Sequence, residues 1–193
     1  MKRTIILAAI ALIFGCNNPS NTKTGAGTSS NTQDSSTGNS AKTNSDATET
    51  GAEATEITVT LTGGANSGTY KATSNEATCS MGLTGAKSFG NQYSVSNKAP
   101  NELSSLQLII DDYNAAKSGT DKFYIKVAFG KILEGNRYEI NGGSSAMSMK
   151  KEGSGKATIT ESGGDKIVTI EGKTAAGVGI SATIKCKKII TAG

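Results

Sequence analysis

Residues 56–193 predict an all-β domain, an antiparallel sandwich or barrel of about eight to ten strands. Three observations carry this. Apolar residues in this region recur at every second position over short runs, which is the period of a half-buried strand. Glycine-rich breaks separate the runs at intervals of roughly 8–12 residues, as in sandwiches and barrels. Only "ELSSLQLIIDDYNAAKSG" competes as a helix, and its "LQLII" core alternates like a strand.

Taken in chain order, "ITVTLTGG" (57–64) alternates Ile57, Val59 and Leu61 with threonines, and Gly63-Gly64 closes it. Strands follow at 68–73, 77–83, 91–96 and 104–110, the last leading into a short helix over 113–117. "KFYIKVAFG" (122–130) puts Phe123, Ile125, Val127 and Phe129 on one side. Further strands are expected at 136–141, 145–150 and 178–189. The strongest hairpin signal is "KATITESGGDKIVTIEG" (156–172), two alternating runs around Ser162-Gly163-Gly164-Asp165.

Upstream, the chain changes character. Lys2 and Arg3 form a positive n-region, and Ile5 to Phe14 are ten consecutive apolar residues. That is the length of a signal-peptide h-region, well short of the roughly 20 residues of a bilayer-spanning helix. Gly15 supplies the small residue that a signal peptidase needs, and Cys16 follows it directly. The stretch Ile13-Phe14-Gly15-Cys16 resembles a bacterial lipobox, the motif of lipoproteins. The resemblance covers residues 1–16 and implies cleavage after Gly15 and acylation of Cys16, which becomes the mature N-terminus. Several acyl chains, each contributing about 0.8 kcal/mol per buried methylene, make such an anchor effectively permanent. Asn17 stands where an Asp resembles an inner-membrane retention signal, so the resemblance implies an outer-membrane destination in the bacterial envelope.

Between Asn17 and Ala54 there is no Leu, Ile, Val, Met, Phe, Tyr or Trp. Such a segment buries too little apolar surface to offset its ordering entropy. Residues 16–55 are therefore expected to be a disordered Ser/Thr/Asn/Gly-rich tether, with a coil span of roughly 35 Å.

Two cysteines remain. In "GVGISATIKC", Cys186 shares the parity of Val178, Ile180, Ala182 and Ile184, and in "ATCSMGL" Cys79 shares that of Ala77, Met81 and Leu83. Both thiols are thus expected to face the core. An exported chain meets an oxidising compartment, so Cys79 and Cys186 are expected to form a disulfide.

The chain has no histidine and no tryptophan. The first absence removes the Ser-His-Asp triad and histidine-ligated metal sites, and the second argues against a stacking platform for sugars. No Walker loop is present, and nothing in the pattern predicts a cofactor. Asp111, Asp112, Asn114 and Asp121 form the densest set of oxygen ligands, but their spacing is not that of an EF-hand and reads as a solvated turn. Glu134, Glu139, Glu152, Glu161 and Glu171 are the carboxylates available for an acid–base pair. Lys150, Lys151, Lys185, Lys187 and Lys188 either form a basic patch or protect strand edges from pairing, and the second role is the expectation.

These observations lead to a membrane-anchored, non-catalytic binding or structural module. Its partners are membrane lipid through Cys16 and an envelope protein or glycan, not nucleic acid. The alternative is an envelope hydrolase using carboxylates or a Ser148/Lys150 pair.

Overall fold

The computed structural model describes residues 54–75, 77–131, 134–147 and 150–192. Gly15, Cys16 and the tether lie outside the described residues.

Among the described residues, eleven strands and one short helix follow in order. They are β1 (Thr55–Thr62), β2 (Gly68–Ser74), β3 (Thr78–Met81), β4 (Phe89–Ser94), β5 (Leu103–Ile110), α1 (Tyr113–Ala116), β6 (Phe123–Phe129), β7 (Arg137–Asn141), β8 (Ser154–Ser162), β9 (Asp165–Lys173), β10 (Gly179–Cys186) and β11 (Ile189–Thr191). One sheet has the order β2-β1-β10-β9-β8, and the other β11-β3-β4-β5-β6-β7. They pack face to face and do not close, so the fold is a β-sandwich and not a barrel.

Alternation builds the core. In β1, Ile57, Val59 and Leu61 point inward; they stand beside Ile184, Ala182 and Ile180 of β10, which are their register partners. Opposite them the second sheet contributes Phe89, Leu106, Leu108, Ile110, Phe123, Ile125, Val127, Phe129 and Ile140, all buried in one continuous cluster. Phe129 meets the rings of Tyr70 at 4.6 Å and Tyr138 at 6.0 Å, both in edge contacts favoured by the ring quadrupole.

The β8–β9 hairpin forms where its sequence predicts. Ser162 pairs with Asp165, and the two residues between them, Gly163 (φ 61°) and Gly164 (φ 89°), supply the two positive φ angles of a type I′ turn. The short helix expected over 113–117 appears as Tyr113–Ala116, because Asp112 Oδ1 accepts from the backbone N–H groups of Asn114 at 2.8 Å and Ala115 at 3.1 Å.

Three segments depart from the sequence reading. The strand expected at 145–150 is absent from its described residues, and a turn stands there instead. Asn141 Oδ1 accepts from Gly143 N and Ser144 N, and Asp111 holds the Ser144 hydroxyl and Ser145 N, which bends the chain. The run expected at 178–189 divides: β10 ends at Cys186, the chain crosses to the other sheet, and β11 pairs with β3 in parallel, an exception to the antiparallel pattern. Finally, Leu83 lies beyond the end of β3 and is 64% exposed, so it does not share the inward face of Cys79.

Cys79 and Cys186 both point inward, each 1% exposed, and form a disulfide with Cα atoms 6.0 Å apart. The bond joins β3 of one sheet to β10 of the other.

A concave outer face on the six-stranded sheet

The acidic residues singled out from the sequence lie among the described residues and can be placed. Asp111 is engaged by Ser144 and Ser145, Asp112 caps α1, and Asp121 meets Lys151 Nζ at 3.2 Å, which holds its carboxyl below the usual range. Their acceptor capacity is thus directed to three separate protein partners. Among the described residues no group of three or more acidic, cysteine or histidine side chains is arranged to hold a metal ion.

The carboxylates are also dispersed. Glu134 faces Lys131 at 3.7 Å, Glu139 accepts from the Tyr124 hydroxyl at 3.1 Å, and Glu171 accepts from Ser181 Oγ at 2.6 Å. Glu152 bridges to Asn141 through its backbone, and Glu161 receives the Tyr113 hydroxyl together with Lys166 and Lys117. Burial and the Glu139 carboxylate push the Tyr124 hydroxyl well above its ordinary range.

The lysines do not form one patch. Lys185 pairs with Asp165 at 3.2 Å and Lys187 with Glu56 at 2.9 Å, while Lys151 is held by Asp121. Three of them do not guard sheet edges: Lys185 lies on β10, the middle strand of its sheet, and Lys187 and Lys188 lie in the crossover before β11, whereas Lys150 and Lys151 precede the bridge of Glu152 to Asn141 at the end of the edge strand β7. Ser148, the nucleophile of the alternative hydrolase, lies outside the described residues.

What the sequence reading missed is the outer face of the six-stranded sheet. Strand pairing aligns its outward side chains in rows. Ser94 of β4, Ser105 of β5, Ala128 of β6 and Arg137 of β7 form one row. Thr78, Gln92, Gln107, Lys126 and Glu139 form the next, and Ser80, Gly90, Ile109 and Tyr124 a third. Gly90 has no side chain to fill its position, so the sheet is indented there. Residues 82–88 form a wall, held by Gly82 N to Ser88 O at 2.9 Å, Ser88 N to Gly85 O at 2.8 Å and Thr84 N to Ser88 Oγ at 3.1 Å.

The result is a hollow of about 420 Å³ whose lining includes Thr78, Ser80, Leu83, Thr84, Gln92 and Gln107. Asn91 also lines it; its amide nitrogen donates to Thr78 O at 3.1 Å and Cys79 Sγ at 3.2 Å, and its buried Oδ1 has no partner. Ser94 lines a second, smaller hollow as well, of about 270 Å³, which also contains Ser104, Ser105, Lys126, Lys131 and Arg137. One face therefore carries a neutral hydroxyl-and-amide surface at one side and Lys126, Lys131 and Arg137 at the other, where Glu139 stands directly opposite Lys126 in the register. Among the described residues, no carboxylate lines either hollow.

Comparison with known proteins finds no matching family model, no similar curated protein and no similar solved structure.

Proposed function

We propose that the chain is a lipid-anchored lipoprotein of the bacterial envelope, directed to the outer membrane, and that its β-sandwich is a non-catalytic binding module. The anchor rests on the Ile13-Phe14-Gly15-Cys16 motif and the apolar run before it. The observation that supports binding is the indented outer face of the six-stranded sheet, where donors and acceptors of Thr78, Gln92 and Gln107 stand around a concavity. Concave surfaces with a few convergent polar groups are where proteins take ligands. The carboxylates are dispersed and engaged elsewhere, which favours binding over acid–base hydrolysis.

A photo-crosslinking residue at position 107, compared with one at position 183 on the outer face of the other sheet, tests the binding surface in intact cells. Adducts at 107 and none at 183 are expected; equal yields at the two positions, or adducts at 183 alone, would refute the assignment. Mass spectrometry of the purified protein tests the anchor: acyl mass on an N-terminal Cys16 is expected, and an intact Met1 or an unmodified thiol at position 16 refutes it.

A further inference from the structure

We infer that the outer face of the six-stranded sheet takes an acidic oligosaccharide, with its hydroxyls along the Gln92/Gln107 hollow and an anionic substituent, carboxylate or sulfate, at Lys126 and Arg137. The inference rests on the binding-module reading above and adds the chemical class of the ligand.

The first support is the chemistry of the neutral hollow. Gln92 and Gln107 are register partners, so two primary amides stand side by side, each both donor and acceptor. Thr78 and Thr84 add exposed hydroxyls around them, and Ser80 and Ser88 line the hollow but are largely buried. This mixture of donors and acceptors without charge matches polyhydroxylated molecules, whose vicinal hydroxyls donate and accept at the same spacing. Leu83, which is 64% exposed, offers apolar surface for the C–H face of a ring, in place of the indole that the chain lacks.

The second support is charge. The hollow at Ser94 continues toward Lys126, Lys131 and Arg137. Lys131 is paired with Glu134, but Lys126 and Arg137 have no ion pair among the described residues. Arg137 is opposite Ala128 in the register, and Lys126 is two residues before Ala128 on the same face. That makes the two cations diagonal neighbours, about 7–8 Å apart at the backbone, a separation that one carboxylate or sulfate can bridge. A guanidinium fork also fits planar anions in two-point contact. Glu139 faces the same side, but its carboxylate accepts from Tyr124 and does not line the hollow.

The experiment uses the full chain in detergent micelles and measures binding of four polymers by calorimetry: polygalacturonate, dextran sulfate, neutral dextran and poly-L-glutamate. At least one of the two acidic polysaccharides is expected to bind at least tenfold more tightly than dextran and poly-L-glutamate. Lys126→Gln with Arg137→Gln is expected to weaken that binding at least tenfold, and Gln107→Ala several-fold. Lys71→Gln with Lys173→Gln, which removes the same charge from the outer face of the other sheet, is expected to leave it unchanged. Equal loss in the two charge variants means diffuse attraction and overturns the inference, as does equal binding of poly-L-glutamate or dextran. Binding of none of the four polymers, with adducts still forming at position 107, overturns the ligand class alone; loss of those adducts overturns the binding surface.

Discussion

Glu161, at the end of β8, ties α1 to the hairpin. The Tyr113 hydroxyl donates to its Oε1, Lys166 Nζ lies 3.0 Å away and Lys117 Nζ 3.6 Å, while the two ammonium groups stand 5.0 and 4.8 Å from the centroid of the Tyr113 ring. The hydroxyl bond first, then the Lys166 bond and charge, lower the Glu161 pKa from an ordinary 4.5 to about 2. A depressed folded-state pKa contributes stability that is present above the unfolded value and lost as pH falls through the folded one. Glu161→Gln should therefore reduce the difference in urea stability between pH 5.5 and pH 2.5, relative to the parent chain; an unchanged difference would mean that the cluster contributes nothing to acid stability. Some of this scale was legible in the sequence. Parity alone turned Cys79 and Cys186 inward. The same rule misplaced Leu83, because parity holds only while a strand continues, and β3 ends at Met81. The Glu161 cluster joins residues 48 positions apart, and no local pattern encodes such a contact.

The β8–β9 hairpin also shows how two elements accommodate the opposite sheet. Gly155 and Gly172 are register partners on its inward side. A Cβ on Gly172 would stand 2.5 Å from Ser154 O and 2.8 Å from Ile140 Cδ1, and one on Gly155 would meet Glu171 O at 2.6 Å and the Phe123 ring at 3.1 Å. The glycine pair is thus the recess into which Phe123 and Ile140 pack. Gly172→Ala should cost about 1–3 kcal/mol by overpacking, read as a lower denaturant midpoint at constant slope. A neutral outcome would mean that the sheets separate freely at this point. Hairpin, strands and the short helix were legible because their signals are local: alternation, a two-glycine turn, an Asp at the helix cap. The turn at 144–147 and the division of 178–189 were not. One depends on Asp111, far away in sequence, and the other on the parallel pairing of β11 with β3, which is also a non-local contact.

For the whole molecule the Cys79–Cys186 bond is the cross-sheet link, closing a loop with a sequence separation of 107. Replacing both cysteines by alanine should lower stability by about 4 kcal/mol in the chain-entropy account, measurable by urea titration of the oxidised parent against the variant. An effect below about 1 kcal/mol would mean that the unfolded chain is already restrained near this point. The outer-face hollow was invisible at sequence level for a related reason. Gln92 and Gln107 become neighbours only through the β4–β5 register, and outward serines and glutamines in separate strands look like ordinary solvated positions. The start of β1 has a mechanical consequence. Thr55 donates its hydroxyl to Ala77 O beside Cys79, whereas the far end of β1 leads to Asn66, which bonds Asn136 next to Arg137. A load applied ahead of Thr55 and resisted at the Arg137 end would run lengthwise along β1. That strand is flanked by β2 and β10 over seven paired positions on each side. Tension in that direction must shear both ladders at once and cannot peel them open one rung at a time, a geometry suited to holding fast under drag.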